Sequence, residues 1–169
     1  TFLRILNKDA TAGTVTISAI DDGGNAGDSD ITLTLAANDS QQMTSQDLED
    51  GNTDKGLIGA LGDGEGNWRL TITSTLDLDV LGLIRLPGGY LLNLSAIAPG
   101  TGNTRELNYV EPADETLRTS LLRVINTSNN VATYTVSATD DDGQPAPSGD
   151  ATFTLDPLAA REIPVSDLE

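Results

Sequence analysis

Residues 2–22 read FLRILNKDATAGTVTISAIDD, and residues 121–141 read LLRVINTSNNVATYTVSATDD. Arg4 and Arg123 stand 119 positions apart (123 − 4), and at that spacing Asn7, Thr14, Thr16, Ser18, Ala19, Asp21 and Asp22 each meet the identical residue. After one inserted residue the match resumes, DITLTL at 30–35 against DATFTL at 150–155 and QDLE at 46–49 against SDLE at 166–169. A solenoid turn takes roughly 20 to 50 residues, so a period this long belongs to a whole small domain. Inside the stretch, Val15, Ile17 and Ala19 alternate with Thr14, Thr16 and Ser18. Period-two alternation with β-branched residues marks a strand that buries one face and wets the other.

Working outward, Ile31, Leu33 and Leu35 alternate with Thr32 and Thr34, and the turn-rich DDGGNAGDSD separates this strand from the previous one. Residues 40–45 predict another short strand, and QDLEDGN a turn or a single helical turn. The glycines of 55–66 are spaced too loosely for a phosphate loop, with no Lys-Ser/Thr pair behind them, and predict a flexible loop. Residues 67–74 follow as a strand with Trp68, Leu70 and Ile72 on one side; Trp68, the sole tryptophan, is expected to anchor the core. Two last strands, 76–86 and 90–96, are joined by the PGG turn at 87–89. About seven short strands with frequent turn signals predict an all-β fold, an antiparallel β-sandwich of immunoglobulin-like or Greek-key type, with a closed barrel as the alternative.

The expected organisation is a first β-sandwich repeat at 1–96, a linker and lead-in strand at 97–118, and the first half of a second sandwich at 119–169. Residues 105–110 carry the strand character within the join. The chain begins inside a strand pattern, and its second copy stops where the first runs on, so both ends read as cut from a longer secreted polypeptide.

Composition narrows the chemistry. The 169 residues include 26 acidic and nine basic ones, a net charge of −17, and neither cysteine nor histidine. That charge opposes nucleic acid and anionic membrane surfaces and favours divalent cations. Without cysteine or histidine there is no thiol nucleophile, no Ser-His-Asp triad and no histidine-based metal site. No apolar run reaches the length of a membrane helix, so membrane insertion is not expected. Disulfides are likewise excluded.

The order of blocks LRILN, TVTI, DDGG, TLTL, DLE, GLIGALGDGEGNWRL and LLNLS resembles a tandem β-sandwich repeat of large, acidic, secreted or surface-attached bacterial proteins. The segment RELNYVEPADETLRTSLLRVIN at 105–126 resembles the lead-in between repeats of such arrays. The resemblance implies a modular role outside the cell or on the bacterial surface, and it brings no catalytic residues with it.

Two sets of carboxylates stand out. Asp21 and Asp22 with Asp28 and Asp30, and Asp140, Asp141 and Asp142 with Asp150, flank equivalent loops. Calcium takes six to eight oxygen ligands, which paired carboxylates and loop carbonyls can supply, although the D-x-D-x-D-G spacing of an EF-hand is missing. The competing reading is that Asp-Gly and Asn-Gly neighbours simply build the turn between two strands. Asp47 with Glu49, repeated as Asp167 with Glu169, is read as a cap on a short turn whose Leu48 and Leu168 plug the core, in preference to a glycosidase pair. Aromatic residues are scarce, which counts against stacking on sugars; Tyr90 and Tyr109 come nearest to surface exposure, with edge-strand or interdomain packing the preferred reading for both.

The expected function is a non-catalytic structural module of an extracellular bacterial filament, stalk or adhesin. Its partners are neighbouring copies of itself, joined head to tail with strand complementation finishing the incomplete sandwich. The alternative is a calcium-dependent carbohydrate-binding accessory module whose partner is a glycan.

Overall fold

The computed structural model describes residues 1–85, 91–93 and 120–168. Contacts divide the chain into two compact units, Thr1–Ile20 with Ala26–Thr101, and Asp21–Asn25 with Gly102–Glu169. The expected PGG turn, the linker with its lead-in strand, Tyr90, Tyr109 and Glu169 lie outside the described residues.

The first unit is an antiparallel β-sandwich. Its strands are β1 (Phe2–Asn7), β2 (Gly13–Ile20), β3 (Ile31–Leu35), β4 (Ser40–Thr44), β5 (Arg69–Ser74), β6 (Leu78–Arg85) and β7 (Leu91–Asn93). They form one sheet in the order β4-β1-β6-β7 and another in the order β3-β2-β5. Only β2–β3 and β6–β7 are sequential neighbours within a sheet; every other connection crosses from one sheet to the other. Alternation places Leu3 and Ile5, Val15, Ile17 and Ala19, and Ile31, Leu33 and Leu35 in a single buried cluster with Met43 and Leu48. Each of these side chains larger than alanine contributes about 1.5–3 kcal/mol by leaving water. Trp68, Leu70 and Ile72 pack against this cluster from β5 and its approach, as the alternation predicts.

A six-residue helix, α1 (Ser45–Asp50), follows β4 directly. Alone it is too short to persist in water. Thr44 accepts from the Asp47 amide while the Asp47 carboxylate accepts from the Thr44 amide, a capping box, and buried Leu48 fastens the helix to the core.

The glycine-rich segment 55–66, expected as a flexible loop, is irregular as expected but is anchored to the core. Leu57 and Leu61 are each 1% exposed in the core, and Ile58 exchanges backbone hydrogen bonds with Thr32 at 2.8 and 2.9 Å. Further bonds run from the amides of Asp28 to Leu61 O (2.8 Å) and of Leu61 to Leu48 O (2.8 Å). The segment thus covers the outer edge of β3, a position that would otherwise offer unpaired amides and carbonyls. Two leucines in a run of glycines, too few to show a period, are what fix it.

In the second unit β8 (Leu121–Ile125) pairs with β11 (Ala160–Pro164), and β9 (Ala132–Val136) with β10 (Ala151–Leu155). The registers repeat those of the first unit. Leu121 faces Pro164 as Phe2 faces Thr44, and Tyr134 faces Phe153 as Val15 faces Leu33. Burial does not repeat: Val15 and Ile17 are fully buried, whereas Tyr134 and Val136 are half-buried. The cross-strand pair Tyr134–Phe153 stacks with centroids 5.8 Å apart, and the Arg161 guanidinium lies 5.4 Å from the Phe153 ring centre. Aromatic and cation–π contacts of this kind shield part of the sheet face. Among the described residues, no helix is long and apolar enough to cross a membrane.

Candidate functional site

The acidic residues following β2 are organised as a turn. Asp21 is buried; its Oδ1 accepts from the Asn25 amide at 2.7 Å and its Oδ2 from Asn25 Nδ2 at 3.3 Å. The Asp21 amide donates to Asn25 O (2.9 Å), and the Gly24 amide to Asp21 O (3.2 Å). The loop after β9 has the same wiring. Asp140 Oδ1 accepts from the amides of Asp142 (3.0 Å) and Gln144 (2.7 Å), and the Asp140 amide donates to Gln144 O at 2.9 Å. An aspartate that bonds its own backbone a few residues on is the usual organiser of such turns.

The remaining candidate calcium ligands disperse. Asp22 forms an ion pair with Arg123, whose Nη1 also lies 3.4 Å from Asp22 Oδ2 and 2.9 Å from Glu162 Oε1. Asp28 is tethered through its amide to Leu61, with its carboxylate against Gly62, and Asp30 is exposed one residue before β3. Asp141, Asp142 and Asp150 are exposed as well. Among the described residues no three acidic groups converge to hold an ion. What the structure brings together is Asp21 with its turn amides, and Asp22 with Arg123.

In the second unit the turn Asp21–Asn25 is held at three points. Besides the ion pair, Asp22 O accepts from the Ala160 amide at 2.9 Å. Gly24 has φ of 88°, and a Cβ there would stand 2.4 Å from Pro157 O. Both backbone conformation and close approach therefore require glycine. A guanidinium shared by two carboxylates and clasped beside a backbone hydrogen bond is a geometry that holds one segment against another.

The second recurrent carboxylate pair is structural. The Asp47 carboxylate accepts from the Thr44 amide (2.7 Å), Thr44 Oγ1 (2.9 Å) and Asn52 Nδ2 (2.6 Å), and also pairs with the Lys55 ammonium. Lys55 first, then the Thr44 amide, holds its carboxyl well below the usual carboxylate range. Glu49 Oε1 accepts from the Trp68 indole at 3.1 Å. The cap expected at Asp47 is present, but its twin is not. Pro164 stands where Thr44 does, so the turn Val165–Asp167 has no side-chain cap and Asp167 is exposed.

Sequence reasoning passed over Asn7 and Asn126, the fully buried polar pair. Asn7 Nδ2 donates to Thr11 O and Ala36 O, both at 2.8 Å, and Asn126 Nδ2 donates to Asn130 O (2.7 Å) and Asp156 O (2.8 Å). The identity of the two residues at the repeat spacing was the available signal, as it was for Arg4 and Arg123. A shallow depression of about 270 Å³ is lined by Arg4, Leu6, Asp79, Val80 and Leu81 of β1 and β6. Comparison with protein families, curated proteins and solved structures finds no match to this chain.

Proposed function

We propose that the chain is a non-catalytic structural module of an extracellular bacterial filament, stalk or adhesin, in which β-sandwich repeats join head to tail. One observation carries this reading. In the first unit β1 lies between β4 and β6, and β2 between β3 and β5, whereas among the described residues β8 has only β11 and β9 only β10. Two sheet edges and a half-covered face, set in the register of a finished sandwich, take strands of the β5 and β6 pattern. The acidic surface and the wiring of the recurrent aspartates into turns and caps support the same reading.

The test is electron microscopy of the purified chain together with hydrogen exchange at rising concentration. Filaments or oligomers, with amides of β8 and β9 gaining protection as concentration rises, are the expected result. A monomer whose second unit is fully protected when dilute overturns the proposal. Binding on a glycan array by such a monomer replaces it with the carbohydrate-binding module.

A further inference from the structure

The turn seated on Arg123 has a twin, and so does its seat. Residues 140–144 repeat the turn's backbone bonds and its main carboxylate bond: Gly143 donates to Asp140 O at 2.9 Å as Gly24 does to Asp21 O at 3.2 Å, the Gln144 amide donates to Asp140 Oδ1 as the Asn25 amide does to Asp21 Oδ1, and Gly143 has φ of 78° where Gly24 has 88°. A pair across the turn base, Thr139 with Pro145, matches Ile20 with Ala26. The environments are opposite. Asp21 is buried and Gly24 presses on Pro157 O, whereas Asp140 and Asp141 are exposed and a Cβ on Gly143 meets nothing within 4 Å.

The seat consists of Arg123 and the bend 157–160; Arg4 and the bend 37–40 reproduce its backbone. Leu158 has φ of 60° and Asn38 of 56°; Leu158 donates to Ser128 O and Asn38 to Asp9 O, both at 3.0 Å. Ala159 O accepts from Asn126 and Asp39 O from Asn7, both at 2.9 Å. Here too one member is filled and the other open. Arg123 has two carboxylate partners, whereas exposed Arg4 has none among the described residues and bonds only Ser40 Oγ, at 3.0 Å.

We infer that the turn 140–144 of one chain docks on Arg4 and the bend 37–40 of a second copy, with Asp141 taking the place that Asp22 holds on Arg123. The inference rests on the head-to-tail reading above and names one of its joints. Turn and seat are different surfaces, so the contact is heterologous: it extends an open run of copies, or a ring where the rotation closes, and is not the self-complementary patch of a two-fold dimer. One feature of the seat weakens it: Asp39 Oδ1 accepts from the Ser40 amide at 2.7 Å, the counterpart of the Ala160 amide that binds Asp22 O. Docking must displace that carboxylate, and Asp39 repels an incoming Asp141. A joint made of one turn buries little surface, so a dissociation constant on the order of 1 mM is expected for untethered chains.

Sedimentation equilibrium of the full chain from about 0.01 to 1 mM near physiological salt tests it, the upper limit being set by that affinity. The wild type is expected to gain average mass with concentration. R4D and D141R, both at exposed positions, should each weaken association by about tenfold or more, and their equimolar mixture should restore it. D39A should strengthen it severalfold. Melting curves matching wild type show that the variants fold. A wild type that stays monomeric throughout overturns both this joint and the head-to-tail reading for the free chain. Association indifferent to R4D and D141R, with β8 and β9 amides protected on assembly, overturns the joint alone and leaves strand completion standing.

Discussion

Asn7 Nδ2 donates to Ala36 O at 2.8 Å, tying the end of β1 to the bend that leads into β4, while its Oδ1 accepts from the Asp9 amide at 2.9 Å. The side chain is fully buried, and it satisfies backbone groups of two loops that no strand ladder reaches. Asn126 does the same for the loops at 128–130 and 156, where its Oδ1 accepts from the Ser128 amide at 3.0 Å. Changing Asn7 to Ala removes three part-buried hydrogen bonds, to Thr11 O, Ala36 O and the Asp9 amide, so N7A should lower unfolding free energy by about 1–3 kcal/mol. Chemical denaturation monitored by Trp68 fluorescence reads this directly. A loss under about 0.5 kcal/mol would mean that water replaces the amide.

The second prediction concerns acid. Asp47 has a depressed carboxyl pKa in the folded state, relative to an ordinary value of 3.8. The stability it contributes is therefore complete above that ordinary value and is lost as pH falls through the folded one. D47N should be less stable at neutral pH by about 1–2 kcal/mol, the worth of a cap, and should lose less on acidification from pH 5 to pH 2. Melting temperature against pH for both proteins checks it; parallel curves would place the acid sensitivity elsewhere.

Pro164 offers the converse change. P164T restores a hydroxyl at the N-cap of the turn after β11, as Thr44 has after β4, with Asp167 in the position to complete the box. A gain of about 1 kcal/mol in the second unit is expected, read as slower amide exchange at 165–168.

Core deletions should separate the two units. Ile17 is fully buried between neighbours on both sides, whereas Val136, its twin, is half-buried. I17A should cost about 3–4 kcal/mol, and V136A about 1 kcal/mol or less because water already reaches part of the site. Urea titrations with probes in each unit measure both. Equal losses would mean that the second unit is as well covered as the first.

Leu158 adopts the left-handed conformation, φ 60°, which Asn38 occupies at the equivalent bend. A leucine there carries roughly 1 kcal/mol of strain that asparagine largely avoids. L158N should stabilise the second unit by up to that amount, as measured by denaturant midpoint, with the lost apolar contact of a half-buried side chain setting the lower end.

What the sequence by itself determined was local and periodic. Alternation in Val15, Ile17 and Ala19, and in Ile31, Leu33 and Leu35, specified which strands exist and which face is buried, since side chains point to opposite sides at every step. Identity at a fixed spacing also marked Asn7 with Asn126 and Arg4 with Arg123 before any partner was known. Tertiary structure alone decided the rest. A period of two names a face and never a neighbour, so β1 lying between β4 and β6 followed from the chain's crossings and closure of the core. The glycine-rich segment became an edge cover because Leu57 and Leu61 found the core, and short-range pattern holds no trace of that. The aspartates after β2 were equivalent as letters. Asp21 became the centre of a turn and Asp22 the partner of Arg123, 101 residues away, because charge chooses its partner by distance in space.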